Sequence, residues 1–498
     1  MWGFPLWSLV GPLLFLYCLL PSGEIALDVP TVKYSRFLPK FANRLLYYLV
    51  APSLIKYGYG KYKNQPFRLL KADGDLIVLP IEYVDELRNL PPSKLSSLDA
   101  QYENVLGEYT NVLIESALPP DTAQRRLTPA LGRITPRILD ELKYSFETDF
   151  PECKDNWVSV NPFNLVLSLI NRAASRVIIG EELCRNEEWL NISANYTINV
   201  GITVMMLRPI PSFLRPLVAR YLPSAKKLQR QLRFVKDELF VPLINTRRNQ
   251  EARNPSYKKP DDFLQWMMDL ADNSRDKEPE FLAQNLLIFI SLAAVHTSTM
   301  FMTHVLFDLM ARPGYLEPLR NEIQTSLKSG WENGTHLEFL QMRLFDSFLK
   351  ESQRFNPSSE LSMYRIVKQN LALSNGLVLP RGTHICFAAG PLCHDPNVVP
   401  EPYPFDGLRW AEDSSKGVST NLVTINSTNM HFGFGRQACP GRFFAANTIK
   451  AIMSRLIFEY DFKFQDGMTD RPINIRNGEQ TMPNMYTEVF MKKRDIKL

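Results

Sequence analysis

The stretch from Glu280 to Arg312 limits what this chain can fold into more than any other. Pro279 marks its start, the Arg-Pro-Gly at 312–314 marks its end, and no proline or glycine lies between. At about 1.5 Å per residue, a helix of this length crosses most of a domain. Its middle, LLIFISLAAVHTSTMFM, is apolar nearly all round, which predicts a helix buried through the core. A membrane span is the alternative reading, and Gln284, Asn285 and His296 leave too short a clean run for one.

The remaining sequence can supply such a core. Of 498 residues, 45% are apolar and 22% charged, which is ordinary for one large domain or several smaller ones. The net charge of +5 is too small to argue for nucleic acid and would suit an anionic membrane surface or an acidic partner. Cysteines at 18, 153, 184, 386, 393 and 439 form no C-x-x-C pair. Their scatter predicts free thiols in a reducing compartment and argues against a zinc cluster.

The N-terminus, MWGFPLWSLVGPLLFLYCLL, carries no charged side chain before Glu24, giving roughly twenty apolar residues, about one bilayer span. A cleaved signal peptide would want a basic start and a small-residue cleavage site, and neither is clear. Lys33, Arg36, Lys40 and Arg44 follow the span and none precedes it, so the body of the protein is expected in the cytosol. The sequons at Asn191, Asn195, Asn333 and Asn426 would then stay unglycosylated. LLYYLVAPSLI is short and interrupted, and reads as an apolar patch resting on the membrane. FRLLKADGDLIVLP predicts two strands around an Asp-Gly turn, helices dominate from there to about residue 350, and NTRRNQEARNPSYKKPDD reads as an exposed loop. Beyond residue 360, SMYRIVKQNLALSNGLVLPRGTHICFAAG alternates short β-prone runs with turns. No regular strand–helix alternation appears, which disfavours a doubly wound sheet.

The chemistry concentrates in HFGFGRQACPGRFF, His431 to Phe444. Gly433, Gly435 and Ala438 satisfy a loose dinucleotide pattern, and Glu459 lies where a ribose-binding acid would sit. The residues before it, NSTNMHF, are polar and turn-like, so the strand such a loop must leave is missing. Cys439 is the alternative centre. Pro440 and RFFAANTIKAIMSRLIF predict a helix just after it, with Ala445, Ile449, Ile452 and Leu456 on one face. A thiol at a helix start is stabilised as thiolate, and Arg436 adds charge. Glycines 433, 435 and 441 let backbone approach something flat. Such a thiolate could attack a substrate or ligate a metal, and His431 is only a sequence neighbour with nothing to orient it as a base.

FGFGRQACPGRFFA resembles the haem-binding loop of the cytochrome P450 family, F-x-x-G-x-x-x-C-x-G, through Phe432, Gly435, Cys439 and Gly441. KESQR supplies E-x-x-R as Glu351 and Arg354, FDGLRW supplies Arg409, and AAVHTS matches the family's oxygen-activation segment. LPPSKLS, LTPALGR, DDFLQWMMDLA and DSFLKESQRFNP are similar to the fungal microsomal branch that includes ent-kaurene oxidase-type enzymes. The similarity covers essentially the whole chain after the anchor. It implies a mainly α fold with small β-sheets behind a single N-terminal transmembrane helix. The divisions expected are an anchor at 1–22, a linker and membrane-proximal segment at 23–60, and a catalytic domain at 61–498.

The resemblance implies haem b with Cys439 as thiolate ligand, and Phe432, Gly435, Arg436 and Gly441 around it. It implies catalytic roles for Thr297 and His296, the latter standing where the family usually has an acid. Glu351, Arg354 and Arg409 would clamp the core behind the haem. Arg125 and Arg126 are candidates for a haem propionate, because Gln437 replaces the usual Arg or His two residues before the cysteine. Leu292, Ala293, Val295 and VGITVMMLRPIPSFL are candidates for the pocket of a lipophilic substrate, a terpenoid or other secondary metabolite. Expected partners are an NADPH–cytochrome reductase, a cytochrome b-type protein as second donor, and the endoplasmic reticulum membrane, with no nucleic acid. A haem-thiolate isomerase or dehydratase, or a catalytically silent haem protein, would carry the same loop.

Overall fold

The computed structural model describes residues 27–112, 116–413, 421–468 and 470–496. The expected anchor at 1–22 lies outside them. Seven helices organise the site: α1 (Lys40–Lys61), α2 (Leu131–Thr148), α3 (Pro162–Ile178), α4 (Glu187–Leu207), α5 (Pro279–Ala311), α6 (Arg343–Phe355) and α7 (Arg442–Glu459).

The starts of α3 and α4 follow from their sequences. Pro162 occupies the first turn of α3 while the Asn161 side chain accepts from the Asn164 N–H. Asn186 caps α4 by accepting from Trp189, and Glu187 and Glu188 sit at the positive end of the helix dipole. The expected long helix is α5, with Pro279 first and the chain breaking at Arg312-Pro313. Among the described residues it is the one helix long and apolar enough to cross a membrane, yet most of its apolar window is buried within protein. Leu282, Leu286, Ile290, Met302, Val305 and Leu306 pack into the main core with residues of α2, α3 and α7. Helix α7 is buried nearly all round from Phe444 to Glu459, not along the single face expected from its spacing.

Beside the helices lies a six-stranded sheet ordered Thr31–Val32, Phe67–Lys71, Gly74–Leu79, His384–Phe387, Ser362–Val367 and Leu95–Ser96. Phe67–Lys71 and Gly74–Leu79 pair antiparallel around Ala72 and Asp73, as the sequence predicts. Helix α1 covers this sheet with Tyr47, Ala51 and Ile55, and turns Leu49, 78% exposed, outward. The stretch read as an exposed loop after residue 244 differs: a helix continues to Arg253. Arg247 is buried there because Asp262 binds its guanidinium through two oxygens at 2.8 and 2.7 Å, with Glu182 at 3.0 Å. A buried charge is tolerable when paired in this way.

Candidate functional site

The π turn in α5 is the first part of the site. From Phe289 to His296 the helix widens to i→i+5 bonding and then resumes as α-helix at Thr297. Downstream hydroxyls bond back to carbonyls one turn earlier: Thr297 Oγ1 to Ala293 O at 2.6 Å, Thr299 to Val295 at 2.9 Å, Thr303 to Thr299 at 2.8 Å. In a helix otherwise sunk in the core, Ala293 and Thr297 are exposed. His296, next in sequence, is buried and turned elsewhere, with Nε2 2.8 Å from Ala194 O of α4. Burial lowers its pKa, so the ring is neutral near pH 7. Val295 is fully buried, while Leu292 is half-buried.

The second part of the site is the loop ahead of α7. The Cys439 N–H donates to Phe432 O at 2.8 Å, closing the turn on the half-buried Phe432 ring. Gly435 has φ of +79°, and a Cβ there would lie 2.3 Å from Arg88 O, so backbone contact with residue 88 demands this glycine. The Arg436 N–H donates to the same carbonyl, and its side chain is exposed. At Gly441 a Cβ would meet only open space.

Helix α7 begins at Arg442, so Cys439 lies just outside its first turn, with the N–H groups of Gly441 and Arg442 directed at the sulfur. Desolvation pushes the thiol pKa up, against those N–H groups and the Arg442 charge. Cys439 nevertheless has free surface, the one exposed free cysteine among the described residues. A group both accessible and desolvated faces an internal space, not the outer surface. His431 does not serve it: its Nε2 lies 3.5 Å from Cys393 Sγ, and burial takes it down to about 4. The dinucleotide alternative fails on the same geometry, because turns precede Gly433 and Glu459 is buried against Arg455 at 3.3 Å.

Gln437 docks this loop to the sheet. Its Oε1 accepts from the Ser97 N–H at 2.8 Å and its Nε2 donates to Leu95 O at 2.9 Å. Leu95 and Ser96 pair with Val367 and Ile366, so Gln437 brings the cysteine loop to the strand carrying Arg365. Arg365 was not among the sequence candidates. A register irregularity between Ser362 and Arg365, with Met363 at φ of +52°, re-aims the strand there. The buried guanidinium donates to Tyr364 O at 2.8 Å, its Nη2 has no partner, and burial alone pulls its pKa down to about 10. The available sequence signal was an arginine inside the β-prone run SMYRIV. Arg125 lines an outer pocket with Asp272, Asn273 and Arg275.

Behind the loop, Glu351 is fully buried and collects donors. Arg354 binds it bidentately at 2.9 and 2.7 Å, joined by Arg409 Nε at 3.4 Å, Trp410 Nε1 at 3.1 Å and the Asp406 N–H at 3.1 Å. Arg354 Nη1 also reaches Cys393 O and Pro402 O, and Arg409 reaches Pro400 O, Glu401 O and Pro404 O. The three motif residues thus come together and tie α6 to the segment 393–410.

A mainly helical body, with an accessible thiol at a helix start and a π turn bearing an exposed threonine, has the parts of a haem-thiolate protein. The cytochrome P450 family model matches residues 127–488. The chain is 48% identical over 493 residues to the cytochrome P450 monooxygenase janP of Penicillium janthinellum, covering 98% of this chain and 95% of that one. It is 45% identical over 496 residues to paxP of Penicillium paxilli, with 99% and 96% covered, and 46% identical over 486 residues to AtmP of Aspergillus flavus, with 97% and 93% covered. The chain belongs to the cytochrome P450 family, and it is an oxidoreductase of the monooxygenase class. The family carries haem held by a thiolate. The residues present fit that group: an accessible sulfur, an open approach at Gly441, and a buried guanidinium with an unpartnered N–H suited to a propionate.

Proposed function

We propose that this monooxygenase inserts oxygen from O2 into a lipophilic, terpenoid-derived secondary metabolite, with electrons from NADPH through a membrane-bound reductase. A cytochrome b-type protein is a second donor. Haem with a thiolate ligand supplies the oxygen activation, the sulfur donating electron density that favours O–O cleavage. Cys439 is that ligand, and its accessible sulfur at the start of α7 is the observation that carries the reading. The Gly441 and Arg442 N–H groups hold the thiolate charge. Phe432, Gly435, Arg436 and Gly441 shape the loop, Arg365 pairs with a propionate, and Glu351, Arg354 and Arg409 hold the protein behind it.

Thr297 handles the proton. Donating to Ala293 O leaves both Oγ1 lone pairs free to accept from a donor in the pocket, and rotation lets Oγ1 donate in turn. Apolar surface supports a lipophilic substrate. Gly201, Val204 and Met205 share the face of α4 that meets the π turn, and Met205 is 49% exposed on it. A membrane setting, the endoplasmic reticulum with the body cytosolic, is supported by exposed Phe37, Leu49, Phe213, Leu217 and Tyr221.

The test is the reduced, CO-bound spectrum of the purified protein and of Cys439→Ser, followed by turnover of terpenoid-derived candidates with NADPH, reductase and O2. The parent should show the red-shifted thiolate band and Cys439→Ser should lose it. An unchanged band in Cys439→Ser would rule out this ligand, and product formation without O2 or NADPH would replace oxygen insertion with isomerisation or dehydration.

A further inference from the structure

Helix α4 is joined to the π turn of α5 by polar bonds at both ends of that turn. Near its start, Thr197 Oγ1 donates to Ser291 O at 2.9 Å, and the Ser291 and Ser193 hydroxyls lie 3.5 Å apart. At its last residue, His296 Nε2 lies 2.8 Å from Ala194 O. A carbonyl only accepts, so Nε2 carries the hydrogen. A proton passed to Ala194 O has nowhere to go, which makes this nitrogen a poor relay and a good anchor. The next residue is Thr297, whose hydroxyl is set by Ala293 O inside the same turn. On α4, Ser193, Ala194 and Thr197 share a face with Gly201, Val204 and Met205, and Gly201 and Met205 are exposed on it. One helix therefore carries exposed surface at one end and the anchor of the π turn at the other.

We propose that His296 is a positioning residue: through its Nε2–H bond to Ala194 O, it couples the α4 surface over the substrate pocket to the position of Thr297. A ligand pressing on Gly201 and Met205 moves α4, and the His296 and Thr197 bonds carry that movement into the turn that sets the Thr297 hydroxyl. This rests on Thr297 as the proton-handling group, which a separate measurement tests.

Hydrogen–deuterium exchange on the haem-loaded protein tests the coupling. His296→Phe removes the donor and fills the site. The expected result is exchange about tenfold faster in segments 187–207 and 289–297, the change one lost hydrogen bond supplies, with α2 and α3 unaltered. His296→Gln, which restores an N–H donor, should return both segments to the parent rate. If His296→Phe does not hold haem, His296→Asn, polar but too short to reach Ala194, takes its place against His296→Gln. Parent-like exchange in the donor-less variant, or no rescue by glutamine, overturns the proposal. Peroxide released per NADPH, with reductase and O2, should rise in Thr297→Ala and in His296→Phe. No rise in Thr297→Ala refutes the role of Thr297 and leaves the exchange result standing. A rise in His296→Phe with unchanged exchange assigns His296 to proton delivery and overturns the coupling.

Discussion

Replacing Glu351 with glutamine should cost the protein its haem-loaded fold, not merely its turnover. The carboxylate is fully buried and its two oxygens accept from Arg354 Nε and Nη2, Arg409 Nε, Trp410 Nε1 and the Asp406 N–H. Glutamine keeps one oxygen and presents an NH2 where the other stood, so donors face donors on one side. Arg354 is equally buried, and its remaining bonds go to the neutral carbonyls of Cys393 and Pro402, so its charge loses its one anionic partner in this network. Breaking a buried pair from one side costs roughly 3–5 kcal/mol. That is a large part of the roughly 5–15 kcal/mol that separates folded from unfolded chains. Urea unfolding followed by haem absorbance, with the yield of CO-binding protein, reads the effect. Removing both charges with Glu351→Gln and Arg354→Met together should cost less than the single change, because the fully buried Arg354 charge goes with its partner and only the half-buried Arg409, which reaches Glu351 at 3.4 Å, is left with carbonyls alone. A Glu351→Gln variant that holds haem normally and unfolds within about 1 kcal/mol of the parent would refute the clamp, since that is the scale of an ordinary surface substitution.

Arg365→Leu should speed haem loss by about tenfold or more, read by transfer to apomyoglobin, while leaving the haem-free protein no less stable, because the buried guanidinium has no carboxylate partner there. Gly435→Ala should destabilise by about 1–3 kcal/mol in urea, since its Cβ would meet Arg88 O at 2.3 Å in a backbone conformation that disfavours side chains. Acidification should weaken the fold through buried histidines. Burial takes His304 and His384 down to about 3 and His431 to about 4, whereas an unfolded histidine binds its proton near pH 6.5. The unfolded chain holds more protons between those values, so stability is full above about pH 6.5 and falls below it, by up to about 1.4 kcal/mol per pH unit per histidine. Urea midpoints at pH 7 and 5 check the direction, and His384→Gln should make the slope shallower.

Sequence by itself determined the parts whose physics is local. A long run without proline or glycine, apolar all round, can only be a buried helix or a span, and α5 is that core helix. The Asp-Gly hairpin and the strands after residue 360 follow from alternation and turn residues. The cysteine loop was legible because its glycines, its thiol and the following helix lie within one short stretch. Tertiary structure decided what depends on partners far along the chain. Gly435 is demanded by Arg88, which no local pattern contains. Gln437, odd as a propionate partner, is a tie to Leu95 and Ser97. Arg365 became a candidate because a bulge turns it inward without a carboxylate, and Arg247 left its expected surface because Asp262 neutralises it. Thr297 and His296 are neighbours in sequence, yet one is exposed and bonds back within its own helix while the other is buried against α4. Successive residues on a helix point about 100° apart, so which neighbour is left exposed is set by what packs on each side.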